Sequence, residues 1–262
     1  MGSKIKVGYN PCLHAMPLVY ALQRNAPEYE LFEERPARLA DMLEDGRLDV
    51  ALVPSIEYFR HKNFLILPDM SISSKRESEN ARLFSRVDAE KIASAALDED
   101  ARTAAALVRI FLKEKYGLTP VYSMLGQEDP RKLDVDAFLL FGDRGLTYDG
   151  SGLKVLDMGE EWWRFAWLPM VYAIWVTRFG MDLRGVDKEL QMAKRHGVKM
   201  LREIAKEEAP RLGLPEARVR RHLEEKMIYD LSNIELGGLQ TFYKYALKGE
   251  LAEDGVDLDF YW

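Results

Sequence analysis

One histidine in this sequence stands where chemistry is done. His14 follows a strand-like run that ends near Gly8 and Pro11, which puts it at the mouth of any cleft the neighbouring strands form. A histidine there can act as a general base or donate a hydrogen bond to an anion near neutral pH. The same position also suits a histidine that only caps or packs. The turns after Asn10, Pro54, Asp100 and Gly142 share this strand-to-helix setting. Helix N-termini carry partial positive charge and free N–H groups, so four converging ends would hold a small polyanion such as a dicarboxylate. Every α/β protein has such ends, however, and most of them bind nothing.

Other constellations read as structure. Cys12 is the only cysteine, which excludes an intrachain disulfide and a cysteine-based zinc site. His14, His61, His196 and His222 show no three- or four-residue pairing, so no histidine metal site is expected, and the last three fall in charged helical contexts that predict exposure. GxSxG, Walker A and strand-linked GxGxxG patterns are absent. Gly145, Gly150 and Gly152 make a turn rather than a phosphate cradle. Trp162, Trp163, Trp167 and Trp175 are read as packing. Arg218, Arg220, Arg221 and Lys226 alternate with Glu216, Glu224 and Glu225, which predicts a solvated helix face.

The elements that carry these residues alternate in type. Strands are expected over 4–9, 29–33 and 48–53, the last a continuous apolar run suited to burial on both faces. Helical spacing covers 14–24, 37–44 behind Pro36, and 56–61. This β-α-β-α-β order predicts a parallel sheet with covering helices. A β-rich stretch over 64–86 precedes a second α/β unit, with strands near 91–96, 121–124, 137–141 and 171–177 and a helix over 101–116. Only helices are expected after 186, over 186–207, 215–231 and 239–247. The arrangement that fits is two α/β lobes: residues 1–86 with 177–262 form the first, and 87–176 are inserted as the second. Ligands of open α/β sheets sit beyond the carboxyl ends of strands, so a cleft between the lobes is the expected site.

Composition narrows the class. Of 262 residues 47% are hydrophobic and 31% charged, as in globular domains. With 37 Lys+Arg against 43 Asp+Glu the net charge is −6, and no basic block offers the positive face that nucleic-acid binding needs. No apolar run approaches the roughly 20 residues of a membrane helix, and no leader pattern precedes the first strand, so a cytoplasmic protein without membrane insertion is expected. Nothing in the sequence fixes the oligomeric state, and a homodimer is left open.

The order of VGYNPCLHAMPLVYAL, GRLDVALVPSIEYFR, LPDMSIS, ARLFSR, FLLFGDRGL, LDMGEEWW and LPMVYAIW resembles the menaquinone-biosynthesis family of the futalosine route over nearly the whole chain. Gly142-Asp143 after Phe141 is similar to the chorismate dehydratase branch; the naphthoate-forming branch places a catalytic histidine at the position of Phe141. The resemblance implies a two-lobed fold of the type II periplasmic-binding-protein kind. It also implies a cofactor-free dehydration of chorismate to 3-[(1-carboxyvinyl)oxy]benzoate. At the family's substrate site the first turn usually carries Asn, where this chain has His14, and a Ser precedes the LFS-type strand, where this chain has Asn80. The resemblance thus implies that His14 and Asn80 face each other across the cleft as the catalytic pair. His14 is then a possible base, titrating near its ordinary value of about 6.5. Ser55, Arg102, Thr103, Gly142, Asp143 and Asn10 are the expected substrate contacts. A paralogue for another carboxylate, or a non-catalytic binding or sensing protein, would share the fold.

Overall fold

Strands gather into two sheets. The computed structural model describes residues 4–23 and 29–262, so Arg24, at the end of the first expected helix, lies outside the described residues. The chain opens with β1 (Ile5–Tyr9), a 3₁₀ turn at Leu13–Ala15 and α1 (Met16–Val19). It continues through β2 (Tyr29–Glu33), α2 (Pro36–Glu44), β3 (Val50–Pro54), α3 (Ser55–Tyr58) and β4 (Phe64–Ser74). It then runs into β5 (Ala81–Ser85), β6 (Ser94–Asp98), α4 (Arg102–Tyr116), β7 (Val121–Leu125), β8 (Ala137–Phe141), α5 (Gly142–Thr147), β9 (Lys154–Asp157) and α6 (Met158–Ala166). The return comprises β10 (Met170–Arg178), α7 (Val186–Lys199), α8 (Leu201–Leu212), α9 (Glu216–Arg221), β11 (Met227–Ile228) and α10 (Asn233–Lys248).

The first sheet has the order β11-β4-β10-β3-β1-β2 and the second β7-β6-β8-β5-β9. β1 pairs parallel with β2 and β3, whereas β10 enters antiparallel between β3 and β4. In the second sheet β6 pairs parallel with β7 and β8, and β5 antiparallel with β8 and β9. All five residues of β3 are buried, as its unbroken apolar run requires of a central strand.

The pairing corrects the expected lobe limits of 1–86 with 177–262 and 87–176. β5 belongs to the second sheet and β10 to the first, so the chain crosses at 75–80 and again between α6 and β10. Alternation identifies a strand but carries no information on its partner, which is why both border strands were assigned to the wrong side. The terminal region also departs from the helix expected over 215–231. After α9 the backbone widens into a π turn at His222–Lys226 and then pairs as β11 with β4. α10 begins earlier than residue 239 because Ser232 and Glu235 form a capping box. It packs against β10, α3 and α4.

One apolar cluster runs through both lobes, from Leu39 and Val53 through Leu97 and Leu107 to Phe242. A second lies between the first sheet and α1, α7 and α8. No helix among the described residues is long and apolar enough to cross a membrane.

Candidate functional site

The turn after β1 delivers His14 into the cleft. Asn10 donates its side-chain amide to Glu34 O at 3.1 Å, and Cys12 N–H returns to Asn10 O at 3.0 Å. Leu13 N–H donates to Asp143 Oδ1 at 2.9 Å, which ties this turn to the second lobe. The other Asp143 oxygen meets Arg211 of α8 at 2.7 Å. Asp143 therefore ties α5 both to the His14 turn and to α8. Gly142 has φ +65°, and a Cβ built there would sit 3.5 Å from His14 Cε1, so the backbone of α5 approaches the imidazole closely.

His14 is buried, with its ring edge-on to Phe141 at 5.2 Å between centroids. Asn80 stands opposite, its Nδ2 3.1 Å from His14 Nδ1. An amide NH₂ can only donate, so Nδ1 is the acceptor and the imidazole proton resides on Nε2. Nε2 lies 3.2 Å from Cys12 Sγ, whose thiol is pushed up by burial and stays protonated. Burial lowers the His14 pKa to about 4, against a smaller opposing effect of Asp143. At neutral pH His14 is thus an uncharged donor. A base titrating near 6.5 is not what this environment produces.

The cleft has two connected chambers. The inner one, of about 30 Å³, is lined by Asn10, Cys12, His14, Arg102, Thr103 and Tyr172 among others. The outer, of about 250 Å³, shares Asn10, Cys12, His14, Asp100 and Phe141 and adds Asp98, Gly142, Asp143 and Arg144. Thr103 and Ser55 build the floor: Ser55 donates to Val171 O at 2.7 Å and lies 3.4 Å from Thr103 Oγ1, which accepts from Ile56 N–H at 3.2 Å. Both hydroxyls are buried, and Ser55 lies beneath the chamber wall rather than in it. Arg102 lines the inner chamber but is held by Glu57 at 3.1 Å and Asp41 at 3.4 Å. Arg144 faces Asp98 at 3.4 Å, and Arg35 pairs with Glu99 and, at 3.7 Å, with Asp100. The rim pairs of Arg35, Arg102 and Arg211 each join one lobe to the other.

The expected site residues fall into three groups. His14, Asn80, Gly142 and Asp143 form one network; Asn10, Arg102 and Thr103 line the chambers around it; Ser55 supports the floor. The segment 98–103, expected at the cleft as a strand-to-helix turn, supplies Asp98 and Asp100 to its wall. Sequence reasoning missed the contact of Cys12 with His14 and the burial of His222. His222 is 1% exposed, contrary to the exposure expected from its charged neighbours. The π turn rotates it inward while Glu224 and Glu225 stay outside. Neither of its ring nitrogens has a hydrogen-bond partner, and burial, followed by the nearby His14 imidazole and the charges of Arg218 and Lys226, lowers its pKa to about 3. His61 is half-buried beside Glu57 and Glu44, and His196 is exposed. The basic cluster is not merely solvated: Arg218 donates to Leu146 O at 3.0 Å, and Arg221 and Lys226 reach Glu79 and Glu77 on the crossing segment.

Two lobes with an anion-sized cleft between them define a protein of the periplasmic-binding-protein-like fold. The fold is shared with a protein from Archaeoglobus fulgidus (TM-score 0.74, 19% identity, covering 95% of this chain and 98% of that one). It is shared too with the alkanesulfonate-binding protein of Xanthomonas axonopodis pv. citri bound to MOPS (TM-score 0.70, 16% identity, covering 97% and 96%). Residues 5–248 match the menaquinone biosynthesis family model, and the chain belongs to that family. A chorismate dehydratase of Thermus thermophilus is 28% identical, over 79% of this chain and 83% of the relative.

Proposed function

We propose that the protein is a chorismate dehydratase, a cofactor-free lyase that forms 3-[(1-carboxyvinyl)oxy]benzoate and water from chorismate. The observation that carries this reading is the Asn80–His14 hydrogen bond. At the two positions where the family's branch places Asn and Ser, it recreates a neutral, fixed hydrogen-bond donor inside the cleft. Family membership and the similarity to a chorismate dehydratase support the same substrate.

The reaction removes a ring proton beside the enol ether and the neighbouring hydroxyl, and it ends in an aromatic ring. The strong driving force leaves the protein two tasks, to orient a dianion and to manage one proton, and both are served by positioning and preset dipoles. Arg102 and the first turn of α4 attract one carboxylate. The Nε2–H of His14 donates to a substrate oxygen, since its Nδ1 lone pair is spent on Asn80. The substrate's own side-chain carboxylate then takes the ring proton.

The test is direct. Purified protein should consume chorismate and release the carboxyvinyloxy-benzoate with no metal or cofactor added, followed by chorismate absorbance and product chromatography. Chorismate left unchanged at high protein concentration, with no binding by calorimetry, refutes the proposal. Binding without turnover would identify a carboxylate-binding protein instead.

A further inference from the structure

A dehydration needs a proton for the departing hydroxyl, and His14, which carries no net charge to release, leaves that task open. Three carboxylates line the outer chamber, and they differ in how they are held. Asp143 is spent on Leu13 N–H and Arg211. Asp98 meets Arg144 at 3.4 Å and accepts the Asp100 N–H at 3.1 Å. Asp100 lines both chambers beside His14. Its Oδ1 is buried without a hydrogen-bond partner, and its Oδ2 has only the distant contact with Arg35 at 3.7 Å. An unpaired carboxylate oxygen in a cleft built for a dianion is costly in its charged form and useful in its protonated one.

We propose that Asp100 is the proton carrier of the cleft, taking up a proton as the dianion binds and delivering it to the leaving hydroxyl. This rests on the dehydratase reading above. The groups around Asp100 fit that role. Arg35 faces it from the start of α2, Arg144 from α5 and His14 from the turn after β1, while Asp98, Glu99 and Arg102 adjoin it on its own segment. Burial already raises its pKa, with Glu99 adding to the rise and Arg35, Arg102 and Arg144 opposing it. Two substrate carboxylates arriving nearby push it further toward the neutral form.

The step balances. The ring C–H electron pair becomes the new ring double bond as its proton passes to the substrate carboxylate. The C–O bond breaks with its electron pair on oxygen, and the Asp100 proton completes a water molecule. Asp100 is left as a carboxylate and is reprotonated when the next dianion binds.

The experiment uses the full chain, with 3-[(1-carboxyvinyl)oxy]benzoate as the dianionic probe. Calorimetry in two buffers of different ionisation enthalpy should show net proton uptake on binding, approaching one proton per site at neutral pH. Asp100→Asn should abolish the uptake, bind the probe as tightly or more tightly, and lower kcat for chorismate by roughly 10²-fold or more. The wild-type kcat should fall as pH rises through the Asp100 pKa in the complex, and that limb should vanish in the variant. Wild-type kcat in Asp100→Asn overturns the proposal, as does uptake that persists there and disappears in His14→Asn. A wild-type protein that neither binds the probe nor consumes chorismate overturns the dehydratase reading itself, and this inference with it.

Discussion

Mild acid should destabilise this protein through two histidines, and replacing one of them should show it. His14 and His222 are both buried, with pKa values lowered to about 4 and about 3. In the unfolded chain both return to about 6.5. The unfolded state therefore binds more protons below that value, so stability is full above about pH 6.5 and falls as the pH drops toward the folded values. At pH 5 each ring costs about 2 kcal/mol, a figure set almost entirely by the unfolded pKa once the folded one is 4 or below. The pair then removes about 4 kcal/mol, a large share of a total of about 5–15 kcal/mol. His222→Leu isolates one ring. Because neither ring nitrogen has a partner, the substitution removes a desolvation cost of about 1–3 kcal/mol and leaves no orphan behind. Urea denaturation at pH 7 and pH 5 is the assay. The variant should match or exceed the parent at pH 7 and lose about 2 kcal/mol less on going to pH 5. An identical pH dependence in parent and variant refutes the reasoning, because His222 would then be equally protonated in both states.

His14→Ala should lower kcat by roughly 10²–10³-fold, the worth of one preset donor, whereas His14→Asn should retain more activity. The wild-type rate should show no limb near pH 6.5 that His14→Asn removes; finding one would reinstate His14 as a base. Gly145→Ala should be destabilising by about 1–3 kcal/mol and impair turnover, since the new Cβ would lie 2.3 Å from Asn80 O and 2.9 Å from Leu140 O, both backbone atoms; wild-type melting and kcat would refute it. An inner chamber of about 30 Å³ cannot admit a ring with two carboxylates, for which pockets run to roughly 300 Å³, so the lobes must part for loading. Small-angle scattering should show a smaller radius of gyration with the dianion than without it. No change, with binding established by calorimetry, refutes the hinge.

The sequence pattern carried the elements further than their partnership. The parallel arrangement of β1, β2 and β3 followed from short connections and from the unbroken apolar run of β3, which only a central strand tolerates. β5 and β10 were legible as strands yet assigned to the wrong lobe, because hydrophobic alternation is blind to which edge a strand joins. His14 was legible because a strand end and a proline mark a turn. Its role was not, since the direction of its pKa depends on burial, and its tautomer on Asn80, 66 residues away. Arg102 was identified as a cleft residue, but its ion pairs with Glu57 and Asp41 come from helices that the sequence places far apart. His222 was misread for a local reason: charged neighbours predict exposure on a regular helix, and the π turn breaks that regularity.

Asn80 sits on the first crossing and Asp143 in the second lobe, whereas His14 and Leu13 belong to the first. Parting the lobes therefore breaks the Asn80 bond to the imidazole and the Asp143 bond to its turn, leaving the ring only its Cys12 contact, and bringing them together restores both at once. In the proposed reaction, recognition and activation become a single event. A molecule too bulky to let the halves meet, or too weakly charged to draw them together, finds a histidine held by Cys12 alone. A ligand that completes the enclosure meets one with its proton already aimed. Selectivity in such a protein is a matter of timing as well as fit, because the reactive arrangement lasts only as long as the correct guest holds the door shut.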